Sequence, residues 1–182
     1  IQALALFYEF GNDLTPIGRE LAKLPLDPRV GRMILEARQR EALTEVLIIA
    51  AAFSVQDVRD RPIEQQAAAD AAHKKFDDEK SEFIGDLKLW KWLEDSRGAN
   101  REGKGEHKLS VRKQEQLLRE HFVSPRRVRE WRDILSQLHT VVAEHGWRLN
   151  GSPATYEQIH LAMLAGLLGN IGMKDEADNN YT

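Results

Sequence analysis

Apolar residues recur along this chain in steps of three and four, the spacing that gathers them on one face of an α-helix. Val30, Met33, Ile34 and Ala37 follow it, and Pro28 is placed to open that helix at its first position. Upstream, Thr15 and Pro16 have the form of an N-cap followed by a first-turn proline, for a short helix that Pro25 closes. Residues 46–53 are apolar without interruption, which predicts a helix buried on every side at the centre of the fold. Thr44 is its expected N-cap, with Glu45 on the positive end of the dipole and Leu43 and Ile48 placed as a hydrophobic staple.

Residues 54–61 read as an ordered loop, after which Pro62 restarts helix through an alanine-rich, exposed stretch to Phe76. Asp77, Asp78 and Glu79 mark the expected start of the next helix, along which Phe83, Leu87, Trp90 and Leu93 keep helical spacing. Residues 96–108 hold three glycines, much charge and Ala99 as their one apolar residue, and predict a mobile loop. Helix resumes near Leu109. Ser124 and Pro125 then form another cap pair, opening one long helix of about six turns whose stripe runs Val128, Trp131, Leu135, Leu138, Val142 and His145. Gly146 is placed to close it at C′. Thr155 and Gln158 fit a capping box, launching a last helix with Ile159, Met163 and Leu167 that Gly166, Gly169 and Gly172 end. Strand-type alternation is almost absent. The chain reads as all-α, a helical bundle with at most a small wing or strand near residues 10–14 and 171–182.

Composition narrows the function classes. The 182 residues, 42% hydrophobic and 30% charged, suffice for one domain or two small ones with a real core. The longest apolar run falls far short of the roughly 20 residues of a membrane span. The absence of cysteine excludes disulfide frameworks, thiolate zinc sites and thiol catalysis, and fits a cytoplasmic location. A net charge of −3 argues against indiscriminate coating of nucleic acid, so any polyanion must meet a local patch. The chain opens at Ile1 inside an apolar run and trails off in a polar stretch over 175–182, which reads as a piece of a longer polypeptide.

Several segments imitate chemistry. Residues 98–104 (GANREGK) match the spacing of a phosphate-binding loop, but Gly105 stands where magnesium needs Ser or Thr, and a charged helix end replaces the buried strand. His73, His107, His121, His139, His145 and His160 lack the i, i+4 pairing and carboxylate of a metal motif, so no metal site and no catalytic residue is expected. Trp90, Trp92, Trp131 and Trp147 could stack on bases, but Trp90 and Trp131 fall in core-facing register, which favours packing. The basic residues differ. Residues 101–132 hold ten Lys/Arg against five Glu, a local excess in an acidic chain. Within it Arg126, Arg129 and Arg132 recur every three residues on the first turns of the long helix, flanked by Arg127. Cations there oppose the helix dipole, whereas a docked phosphate would gain from both dipole and guanidinium. A solvated face with internal pairs such as Glu130 with Arg126 explains the same stripe equally well.

Residues 14–37 (LTPIGRELAKLPLDPRVGRMILEA) and 54–62 (SVQDVRDRP) together resemble the winged-helix and ratchet (HA2) region of DEAH-box RNA helicases, the bacterial HrpA type most of all. Residues 76–93 (FDDEKSEFIGDLKLWKWL), 128–138 (VREWRDILSQL) and 167–172 (LLGNIG) continue the likeness in the same order. Residues 110–124 depart from it, which leaves RNA contacts there open. The resemblance implies the end of a winged helix over residues 1–27, the ratchet domain over 28–150, and a last helix leading toward an OB-fold over 151–182. It implies an ATP-dependent RNA helicase as parent, with ATP and magnesium bound by RecA-like domains outside this segment and no cofactor within it. Single-stranded RNA and those neighbouring domains would be the partners. By carry-over Arg126, Arg127, Arg129 and Arg132 would face RNA, while Ser54, Gln56, Arg59 and Arg61 would brace the loop against neighbouring domains. Two other readings compete: a free-standing helical adaptor that exposes the Val128–Val142 stripe to a protein partner, and a winged-helix transcription regulator, which would need a complete recognition helix and wing.

Overall fold

A computed structural model describes residues 13–22, 26–97, 110–170 and 172. The chain divides into two compact units, Ile1–Val46 with Ala143–Thr182 and Leu47–Val142. Its helices are α1 (Pro16–Leu21), α2 (Pro28–Gln39), α3 (Leu43–Phe53), α4 (Gln66–His73), α5 (Glu82–Ser96), α6 (Val111–Glu120), α7 (Pro125–Glu144) and α8 (Tyr156–Leu167). Among the described residues there is no extended strand, and an isolated antiparallel bridge joins Arg59 to Val123. The helical class expected from the apolar spacing is therefore what the chain adopts. The expected wing falls mostly outside the described residues, and the phosphate-loop look-alike at 98–104 falls wholly outside them.

In the first unit, Asp27 caps α2 by accepting the Arg29 N–H at 2.8 Å, with Pro28 at the first helical position. Val30, Met33, Ile34 and Ala37 are all buried, as their spacing predicted, and α2 packs against α8. Gly166 departs from expectation. It does not end α8 but lies within it, buried where a Cβ would stand 2.5 Å from the Arg29 carbonyl oxygen and 2.6 Å from Met33 Cγ. The glycine is there because the two helices approach too closely for any side chain. Thr155 and Gln158 form the expected reciprocal capping box.

The start of α3 also differs. Thr44 lies inside the first turn, and its N–H is itself capped by Asn150 Oδ1 at 2.7 Å, from 106 residues away. Glu41 takes a left-handed conformation (φ 54°) at the turn out of α2, and the carbonyl of Ala42 then accepts the Val46 N–H as the first α3 bond. The N-terminal orphan donors are thus met by a distant side chain rather than by a local hydroxyl.

In the second unit, Leu47, Ile49, Ala50 and Ala51 of α3 are fully buried. Trp131 is 1% exposed and donates its indole N–H to the Ile48 carbonyl at 2.9 Å, with Trp90 packed on its ring at 4.9 Å between centroids. Packing, not base stacking, accounts for that pair. The α7 stripe Val128, Leu135, Leu138 and Val142 is likewise buried within the chain. Helix α5 begins at Glu82 under a Ser81 cap rather than at the acidic triplet. The Ser81 hydroxyl reaches the Ile84 N–H, while Asp78, upstream of that turn, pairs with Lys88 at 3.0 Å. Gly146, at φ 66°, closes α7 as expected.

Candidate nucleic-acid interface

The expected contacts cluster on two segments of the second unit, the loop 54–61 and the first turns of α7. Backbone hydrogen bonds tie them together. Asp60 N–H donates to the Phe122 carbonyl and Ser124 N–H to the Val58 carbonyl, each at 2.8 Å. Phe122 holds a left-handed backbone (φ 54°), uncommon for an aromatic residue. Its carbonyl accepts both from Asp60 and from His73 Nε2–H at 3.0 Å, which gives the strained turn two anchors. His73 is a structural hydrogen-bond donor here. Among the described residues no cluster of His, Asp or Glu is arranged to hold a metal ion.

The four arginines of the stripe divide into two kinds. Arg126 is 71% exposed and lies 3.8 Å from Glu130, one turn along its own helix. Arg129 is 59% exposed and donates to Glu115 at 2.6 Å. Both heads sit in solvent, where such pairs are weak and easily exchanged. Arg127 and Arg132 are mostly enclosed. Arg127 Nη1 donates to the Asp60 carboxylate at 2.7 Å and to the Asp57 carbonyl at 2.9 Å, clamping α7 to the loop. Arg132 donates to Glu94 at 3.3 Å over the Trp90 ring, and burial pulls its pKa below the usual arginine range. This part of α7 therefore presents two exposed, loosely paired cations and two enclosed, structural ones. Sequence spacing placed Arg126, Arg129 and Arg132 in one stripe with Arg127 flanking it, but could not reveal partners 38 to 67 residues away.

The loop residues are equally specific. Ser54 Oγ donates to the Ala50 carbonyl at 2.9 Å, turning the chain out of α3. Gln56 is exposed. Arg59 Nε bonds the Asp57 carboxylate at 3.0 Å, and its Nη2 lies 3.7 Å from Asp86. Arg61 forms a two-pronged pair with Asp70, both distances 2.7 Å. Beneath the loop is a cleft of about 240 Å3 lined by Phe53, Phe83, Glu82, Asp57, Arg59 and Asp86. Burial pushes the Asp86 carboxyl up to about 6, with Arg59 pulling it down and Asp57 and Glu82 adding to the rise. Asp86 was not among the sequence candidates, since a lone Asp within a helix carries no local signal.

Residues 27–116 match the helicase associated domain (HA2), ratchet-like. The helical fold, the ordered loop and this match define the class: residues 27–116 belong to the ratchet-like HA2 domain family of DExH-box RNA helicases. It is similar to the ATP-dependent RNA helicase HrpA of Escherichia coli (strain K12), 43% identical over 169 residues covering 93% of this chain and 12% of the relative. The HrpA homolog of Haemophilus influenzae is 41% identical over 168 residues, covering 92% of the chain and 12% of that protein. A DExH-box ATP-dependent RNA helicase of Arabidopsis thaliana is 28% identical over 169 residues, covering 88% and 16%. The chain thus spans about an eighth of the length of the two bacterial relatives.

Proposed function

We propose that this chain is the RNA-engaging winged-helix and ratchet segment of an ATP-dependent RNA helicase, closing the RNA channel and holding the single strand during translocation. In this reading residues 1–27 end a winged helix, 28–150 form the ratchet, and 151–182 lead toward an OB-fold. ATP and magnesium act in RecA-like domains of the same cytoplasmic polypeptide. The observation that carries the proposal is the pair of solvent-exposed guanidiniums, Arg126 and Arg129, on the first turns of α7. Each can leave a weak carboxylate contact for a phosphate, and phosphate contacts grip a strand without reading its sequence. Arg127 and Arg132 position that helix rather than touch RNA. In the loop, Gln56 and Arg61 form the outer edge toward neighbouring domains, while Ser54 and Arg59 shape it from within.

The free-standing adaptor is not favoured. Its proposed docking stripe, from Val128 to Val142, is buried inside the chain itself. The proposal is tested by titrating labelled single-stranded RNA at several salt concentrations against the parent and the Arg126→Glu, Arg129→Glu double variant. The log–log salt slope should fall by about 1.4, at roughly 0.7 per lost phosphate contact. Equal slopes and affinities would remove this face as the RNA contact.

A further inference from the structure

A second cleft, of about 470 Å3, lies wholly within the unit Ile1–Val46 with Ala143–Thr182. It is lined by Arg38 at the end of α2, Glu41, and the turn that carries Trp147, Arg148 and Asn150. The Arg38 guanidinium lies over the Trp147 ring, 4.6 Å from its centroid. Neither Arg38 nor Arg148 has a carboxylate partner among the described residues, and both are exposed. Every arginine of the α7 stripe, by contrast, is already paired. Among the described residues Glu41 is the one acid on the cleft wall, against Arg38 and Arg148, so that lining is net cationic.

The cleft is also held in shape. Gly146 takes φ 66°, which turns the chain back out of α7. Asn150 then fixes the turn by three hydrogen bonds, accepting from Thr44 N–H at 2.7 Å and donating to Glu45 at 3.0 Å and to the Ser152 carbonyl at 2.7 Å. Ala154 N–H donates to the other Glu45 oxygen at 2.9 Å. The Trp147 ring and the Arg148 guanidinium on a fixed turn, with Arg38 at the end of α2 laid over the ring, form a pre-organised surface.

We propose that this cleft is a second subsite for single-stranded RNA, in which one base stacks on the Arg38–Trp147 surface and a flanking phosphate pairs with Arg148. The inference rests on the RNA-engaging reading above and adds a site apart from α7. A planar base stacks on the outer face of the Arg38 guanidinium, which the Trp147 indole backs from beneath. An acidic peptide would use only the guanidinium edges, so the stacked geometry favours nucleic acid.

The test is a fluorescence-anisotropy titration of a labelled uridine dodecamer, and of the same backbone without bases, against the whole chain. Trp147→Ala and Arg38→Ala should each weaken binding of the base-bearing strand at least about fivefold, the lower end of the range for losing one stacked base. Trp147→Ala should leave the salt slope unchanged, because stacking displaces no counterion, while Arg148→Ala should lower it by about 0.7. Trp147→Phe, which keeps a ring, should retain most binding and guards against misfolding of the alanine variant. The abasic strand should bind the parent no better than the full strand binds Trp147→Ala. Parent-like binding by Trp147→Ala, equal affinity for the abasic strand, or equal displacement by polyglutamate of matched charge would overturn this subsite while leaving the α7 reading intact. A folded parent chain that binds no RNA would overturn both.

Discussion

Arg127 reaches back 67 residues to the Asp60 carboxylate, closing a 2.7 Å ion pair whose arginine is only 19% exposed. From the same nitrogen it also holds the Asp57 carbonyl. The residue that looked like one of four equivalent cations is a clamp between α7 and the loop. Arg127→Ala should cost about 1.5–3 kcal/mol, the range for hydrogen bonds to charged groups with a partner left unpaired. Arg126→Ala, at an exposed pair, should change stability by less than about 0.5 kcal/mol. Urea unfolding of both variants checks the division, and equal losses would refute it.

Gly166→Ala should destabilise the protein although alanine is the better helix former by about 1 kcal/mol. The new methyl group would meet the Arg29 carbonyl at 2.5 Å and Met33, and backbone cannot yield as a flexible side chain can. A net loss of about 1–3 kcal/mol is expected from overpacking. Gly169→Ala, with nothing within 4 Å of its added Cβ, should be nearly silent. Thermal unfolding of the two side by side reads the contrast.

Leu47→Ala should cost about 2–5 kcal/mol, the range for deleting a large buried side chain. Leu47 is 0% exposed in α3. A loss below about 0.5 kcal/mol in chemical denaturation would contradict that burial.

The Asp86 carboxyl, raised to about 6 mainly by burial, makes stability depend on pH in a defined direction. Between roughly pH 4 and pH 6 the folded protein retains a proton there that the unfolded chain has released. Its contribution to stability is therefore present at the acid end and lost as pH rises through the folded pKa. Asp86→Asn cannot ionise, so the variant should gain stability relative to the parent as pH goes from 4 to 7. Urea midpoints at several pH values measure this, and parallel profiles for parent and variant would show that Asp86 does not titrate in that window.

Much of the local structure was legible because its causes lie within four residues. Pro28 at the first turn of α2, the Thr155–Gln158 capping box, Gly146 at the end of α7 and the three-four spacing of Val128, Trp131, Leu135 and Leu138 each state their role in adjacent residues. The ordered motifs at 14–37, 54–62 and 76–93 carried the family in the same way, as a linear pattern. Tertiary structure decided what depends on partners far along the chain. Thr44 looked like a cap, but Asn150 reaches its N–H from 106 residues away. Gly166 looked like a helix stop, but the Arg29 carbonyl of a neighbouring helix dictates it. The arginine stripe shows the limit most clearly. Helical periodicity sets which side of α7 a guanidinium leaves, whereas its freedom to meet a phosphate depends on whether packing has brought Asp60 or Glu94 within hydrogen-bond reach.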